Sequence, residues 1–239
     1  MLDRLLQSHS DFDLVLLFLA VVFMPAVSAL AGAQLAKRKT GSLVPRYWQT
    51  MVRGWLVALL VLLAWRWLGR PFAELGLDVP VGFRGQLGLV AVGAAVLVAA
   101  VQFVRLKALT PEQMARAAKA IARTKIGPGT RAELAVFILV ALTAGVWEEL
   151  LYRGFLIWFL APLTGSIGAV VLSSLVFGLG HIYQGTKGVL FTSAIGLLFA
   201  AAFVLTHSLW WLMAAHALID IYGGSVVFRV KGMMARERG

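Results

Sequence analysis

The 239-residue chain has no cysteine, which excludes disulfides, thiol nucleophiles and cysteine-ligated metal centres. Any metal must be held by histidine and carboxylate. Charge is scarce too: Asp, Glu, Lys and Arg make up 14% of the residues, against roughly 25% in soluble domains. Acidic groups are the rarer, 11 against 22 Lys and Arg. Long polar stretches are also missing; none leaves room for the roughly 50 residues of a separate soluble domain. Together these shortages imply one polytopic membrane domain over residues 1–239. The net charge of +11 has no soluble module to present it, so nucleic acid is not an expected partner.

What fills the chain is apolar: 60% hydrophobic residues and a mean hydropathy of +0.86. Apolar spans read at about 14–36, 51–69, 86–105, 132–160, 166–183, 188–206 and 209–228, each near the 20 or so residues that cross a bilayer. The expectation is an all-α polytopic membrane helix bundle of seven transmembrane helices, or eight if the long fourth span splits at Gly154. Pro25 predicts a kink in the first span, which membrane helices tolerate. Asp3, Asp11 and Asp13 precede that span with a single Arg, unlike the basic start of a cleaved signal peptide. The first span is therefore expected to stay.

Basic residues cluster between spans: Lys37, Arg38, Lys39, Arg46 and Arg53 after the first, and Lys107, Arg116, Lys119, Arg123, Lys125 and Arg131 after the third. Arg229, Lys231, Arg236 and Arg238 follow the last span, while the turns at 161–165 and 207–208 carry none. Positive residues favour the cytoplasmic side, so these loops and the C-terminus are expected inside a cell (inner) membrane and the N-terminus outside. Within the second basic loop, Thr110-Pro111-Glu112-Gln113 has the form of a capping box. Met114, Ala117, Ala118, Ile121 and Ala122 then recur at helical spacing with Arg116, Lys119 and Arg123 off the stripe, which predicts a surface amphipathic helix.

Glu148-Glu149-Leu150-Leu151-Tyr152-Arg153 interrupts an apolar run from about Leu134 to Leu163 with three charges. A charge at mid-membrane costs a few kcal/mol on insertion scales, about 2.5–3.5 for Asp, Lys or Arg, and so requires a partner or a task. Glu149 and Arg153, at i and i+4, share a helix face. The simplest assignment pairs them and leaves Glu148 free, although Arg is long enough to reach either. Two further pairs, Phe177-x-x-x-His181 and His216-x-x-x-Asp220, sit in separate apolar segments. If 161–165 is a hairpin turn, Glu149 and His181 are level to within about one turn. His216 and Asp220, counted from His207, fall about 14 and 20 Å into the membrane, an overlapping layer.

A buried Glu beside a neutral His can hold and deprotonate water, and a second His can stabilise an oxyanion. Alternatively Glu148, His181 and His216, with or without Asp220, ligate a divalent metal such as zinc that activates the water. A lone Glu-Arg pair or a lone His is commonly a packing device, and an aromatic one turn before a His, as Phe177 is, usually packs. Carboxylates, Arg and two His over three helices favour function, because intramembrane ionisable residues are functional by default. A membrane transporter or ion-binding protein, relaying protons or cations through the same groups, is the alternative.

The ordered set Glu148-Glu149-x-x-x-Arg153, Phe177-x-x-x-His181 and His216-x-x-x-Asp220 resembles the CAAX-protease and bacteriocin-processing family of intramembrane endopeptidases, over about residues 131–228. The resemblance implies hydrolysis of peptide bonds in membrane-associated proteins or peptides, at a site opening between helices within the lipid bilayer. By motif position it makes Glu148 the general base, His181 its partner in holding water, and His216 with Asp220 the oxyanion-side pair. Glu149, Arg153 and Phe177 would support them. Family members have been described both as metalloproteases and as metal-independent. The prenyl-protein members carry Asn where Asp220 stands; an ionised Asp cannot donate to an oxyanion, so here it must be protonated, orient His216 or bind metal.

Overall fold

The structure is a computed structural model that describes residues 10–37, 41–79, 81–105, 110, 112, 113, 116 and 126–236. Among these residues the chain is helical, with no strand. Helix α1 (Asp11–Lys37) is followed by α2 (Val44–Trp67), α3 (Gly82–Arg105) and α4 (Arg131–Glu148). After α4 come a π-helical segment (Glu149–Leu156), α5 (Ile157–Leu179), α6 (Thr186–Thr206) and α7 (Trp210–Arg236). Two starts are fixed by reciprocal capping: Ser10 with Asp13 for α1 and Thr130 with Glu133 for α4. Such boxes satisfy N–H groups that a helix start leaves open.

Pro25 has no N–H to offer the carbonyl four residues earlier. A π-helical stretch, Leu19–Phe23, lies at that point of α1 and absorbs the mismatch while the helix continues.

Six helices among the described residues are long and apolar enough to cross a membrane, against the seven expected. The difference falls on 132–160 and 166–183, which form one continuous element, Arg131–Leu179, of 49 residues. Straight, it would reach about 73 Å, far more than a hydrocarbon core of about 30 Å. It instead bends back three residues after Pro162, at Gly165 (φ 72°, ψ 168°). Across the bend Ser173 Oγ donates to the Tyr152 carbonyl at 2.6 Å. The chain does not break at Gly154, so the eight-helix variant is not formed; a Cβ there would stand 3.2 Å from the Leu75 carbonyl.

Every residue from Glu149 to Leu156 is buried, which makes the π-helical segment the axis of the bundle. Leu150, Leu151, Phe155, Leu156 and Phe159 pack with Trp65 and Leu75 from the α2 side and with Phe203 of α6, Leu209 of the turn after it and Leu212 of α7. Large residues such as Phe83, Leu89, Ile167, Phe191 and Leu205 point outward. With apolar side chains on both surfaces and polar groups gathered inside, the bundle is built for lipid as solvent.

Each end of the bundle is latched by polar contacts. Near the N-terminus, buried Asp13 takes both guanidinium nitrogens of Arg70 at 2.6 and 2.7 Å, and Arg70 lies over Trp65 and Trp158. At the basic end, Tyr47 donates to the Ile126 carbonyl, Lys231 to that of Gly127, and Glu133 accepts from the Leu43 N–H. The capping box forms at Thr110 and Gln113. The stripe Met114, Ala117, Ala118, Ile121 and Ala122 lies outside the described residues.

Helices α4 and α7 approach closely at Gly145, where a Cβ would stand 2.6 Å from the Met213 carbonyl. A backbone atom cannot swing aside, so Gly145→Val is expected to destabilise the protein by about 1–3 kcal/mol, read as a lowered melting temperature in detergent. Gly93→Ala on α3, with nothing within 4 Å of the new methyl group, should melt like the parent.

Candidate active site

A π-helical turn admits an extra residue into the ladder and recurs at functional sites. Here it begins at Glu149, directly after Glu148. Glu149 Oε1 accepts from Arg153 Nη1 at 3.0 Å, so the two form the i, i+4 pair, both essentially without exposure. Arg153 is further satisfied by the Gly196 carbonyl at 3.3 Å and by the faces of Phe177 and Phe199, 4.1 and 5.6 Å from its central carbon. Gly196 leaves space for this: a Cβ there would meet Phe177 at 3.0 Å and Arg153 Nη2 at 3.5 Å.

The same Glu149 oxygen has a second partner that sequence spacing did not disclose. His216 Nδ1–H donates to it at 2.6 Å, which fixes the ring of α7 from one side. On the other side His216 Nε2 faces Glu148 Oε2 and Asp220 Oδ2, each at 3.7 Å. The adjacent glutamates therefore serve one imidazole from opposite ends, as their different directions on the helix permit. The Asp220 side chain, 39% exposed, stands at the open edge. At 3.7 Å it makes no direct hydrogen bond with His216.

His181 was expected inside an apolar span, 166–183. Helix α5 instead ends at Leu179, and His181 occupies the turn into the short helix Ile182–Gln184. Its Nδ1–H donates to the Phe177 carbonyl at 2.9 Å. A carbonyl only accepts, so the proton sits on Nδ1 and a neutral ring turns the lone pair of Nε2 toward Glu148 Oε2, 3.8 Å away. Phe177 thus does more than fill space. Its carbonyl sets the His181 tautomer, and its ring contacts His181, His216 and Tyr152 at centroid distances of 4.8, 6.1 and 5.2 Å.

Glu148, His181, His216 and Asp220 are therefore brought together from three parts of the chain, while Glu149, Arg153 and Phe177 lie behind them. Glu148 Oε2 is buried with no hydrogen-bond partner among the protein atoms. Sequence reasoning missed Gly196 and Phe199; the only signal was a small residue and an aromatic one turn apart in α6. Among the described residues no group of three or more His, Asp or Glu is arranged to hold a metal ion. The divalent ion expected as an alternative at Glu148, His181 and His216 finds no support in this arrangement, and the chemistry below is derived from the side chains alone.

Residues 130–222 match the family described as Type II CAAX prenyl endopeptidase Rce1-like. The matched stretch contains all three motifs, and over it the resemblance to the CAAX-protease family holds. That family is one of proteases, and the match covers 93 of the 239 residues, in a chain whose described residues include six helices long and apolar enough to cross a membrane. No curated protein and no solved structure matches the chain.

Removing one member of a buried ion pair leaves an uncompensated charge and typically costs about 3–5 kcal/mol. Arg153→Met is expected to lower stability by that order, measured as a thermal or denaturant midpoint in detergent. A midpoint equal to the parent's would mean that Glu149 does not depend on Arg153.

Proposed function

We propose that this CAAX-type intramembrane protease cleaves peptide bonds of membrane-associated proteins or peptides with water activated by Glu148 and His181. The observation that carries the reading is the position of Glu148 Oε2. It is buried, lacks a direct partner, and lies 3.8 and 3.7 Å from two imidazole nitrogens, separations that one water bridges. Water between Glu148 and His181 donates one proton to the carboxylate and the other to the His181 Nε2 lone pair. Its own lone pair then faces the substrate.

In the reaction the water oxygen attacks the scissile carbonyl carbon while its proton passes to Glu148. The developing oxyanion takes a hydrogen bond from His216 Nε2–H, with the ring doubly protonated and anchored through Nδ1 by Glu149. Asp220 stands 3.7 Å from His216 Nε2 at the open edge, where its charge favours the imidazolium and it donates nothing to the oxyanion. Collapse of the tetrahedral carbon breaks the C–N bond, and Glu148 returns its proton to the departing amine. A carboxylic acid, which keeps the second proton of the water, and an amine result, with no net change at the site.

The substrate must reach the bilayer. Proteins or peptides ending in prenylated CAAX sequences, named in the matched family's description, are the first class to test. Under the positive-inside rule the basic loops favour a cytoplasmic C-terminus at the cell membrane, and this reading has substrates with cytoplasmic tails approach the site from that side. Proton or cation relay by the same residues is the other chemistry available to them; it would give flux in proteoliposomes without cleavage.

Glu148→Gln and His181→Ala are each expected to reduce cleavage of a fluorogenic prenylated CAAX peptide by about 10²–10⁴-fold, with melting temperatures near the parent's. Full activity of Glu148→Gln would remove the general base from the mechanism. Cleavage should persist in 1,10-phenanthroline; loss that zinc restores would overturn the metal-independent chemistry.

A further inference from the structure

The proposed site is rich in acceptors and poor in neutral donors. Glu148, Glu149 and Asp220 accept, the free nitrogen of His181 accepts, and His216 alone offers an N–H to an oxyanion. One donor is fewer than oxyanion sites commonly assemble. Three other N–H or O–H groups lie nearby. Trp147 Nε1 points at α2, 2.7 Å from where a Gly54 Cβ would stand. The Tyr152 hydroxyl is sealed in the core, in a residue 2% exposed. Tyr183 differs, because it is half-buried in the turn that carries His181.

Several contacts fix Tyr183. Its ring lies 5.9 Å from that of His181, tilted by 37°. Its N–H reaches Ser28 Oγ of α1 at 3.4 Å, and its backbone sits against Gly32, where a Cβ would stand 3.0 Å from Tyr183 Cα. Gln184 Nε2 donates to the phenol oxygen at 2.9 Å, so the acceptor side of the hydroxyl is engaged and its proton is free to be donated. Burial, reinforced by the charges of Glu148 and Asp220, pushes the Tyr183 hydroxyl above the ordinary tyrosine range. It keeps its proton, and the two carboxylates that act on it are those bordering the site.

We infer that Tyr183 is a further catalytic residue, whose O–H donates the second hydrogen bond to the oxyanion of the tetrahedral intermediate, opposite His216. The inference rests on the peptidase reading above. Gln184 acts through it as a positioning residue, holding the phenol rotor so that the proton faces the substrate. The carbonyl oxygen gains the bond as it becomes negative, no proton is transferred, and the O–H is unchanged when the C–N bond breaks.

The test compares full-length parent and Tyr183→Phe, which deletes one oxygen and keeps the ring. Both are assayed in detergent against a quenched fluorogenic peptide library and a peptide aldehyde whose hydrate mimics the tetrahedral carbon. For Tyr183→Phe we expect kcat to fall by about 10²–10³-fold, KM to stay within about twofold, and aldehyde inhibition to weaken in step with kcat/KM. A kcat within threefold of the parent's, or a change confined to KM, overturns the role of Tyr183 and leaves the peptidase reading standing. A parent that cleaves no peptide overturns both. If Tyr183→Phe melts well below the parent, Tyr183→Trp and Gln184→Leu replace it. Parent-like kcat in a folded variant of either kind then overturns the inference.

Discussion

One carboxylate oxygen, Glu149 Oε1, receives hydrogen bonds from both Arg153 and His216, and much of the interior is arranged to permit it. A charge sealed from water survives only when paired and hydrogen-bonded. Arg153 satisfies that need along its own helix, and Gly196 and Phe177 give the guanidinium a carbonyl and an aromatic face. His216 connects the pair to another helix. The interaction that removes the energetic penalty of a buried charge therefore also orients an imidazole, so stability and site geometry share one atom.

The backbone around that atom is unusual in a related way. Glu148 closes an ordinary α-helix and Glu149 opens a π-helical one, so two adjacent carboxylates reach opposite nitrogens of one ring. The hairpin at Gly165 then returns the chain antiparallel to this segment and delivers Phe177 and His181. The turn after Leu179 sets His181 on irregular backbone, where its orientation comes from one carbonyl and neighbouring rings. A continuous helix would have aimed it by rotation alone.

Much of this was legible in the sequence. The apolar spans announce a helical membrane protein, and the charged residues stand out because lipid makes them conspicuous. The Glu149 and Arg153 pairing follows from i, i+4 spacing, and the proximity of His181 and His216 to it from counting rise per residue. Less legible were features set by tertiary contact. The second partner of Glu149 needed the rotation of α7, and the end of α5 before His181 is hidden because Gly180 and Ile182 read as apolar. Gly196, Phe199 and Tyr183 carry no charge and vanish into their surroundings. Composition separates polar from apolar; it does not say which apolar residue touches a guanidinium.

The apolar wall around the central helix has a consequence for how the protein can be divided. The matched stretch, 130–222, holds every motif, yet its buried face is completed by Leu16, Ala20, Val61, Trp65 and Leu75 from outside it. Arg70, fastened to Asp13, covers Trp158 in the same way. The unit that carries the motifs is therefore smaller than the unit that must be inherited to fold it. Grafting the motif hairpins onto another set of helices would transplant the reactive groups without the wall that keeps them in register.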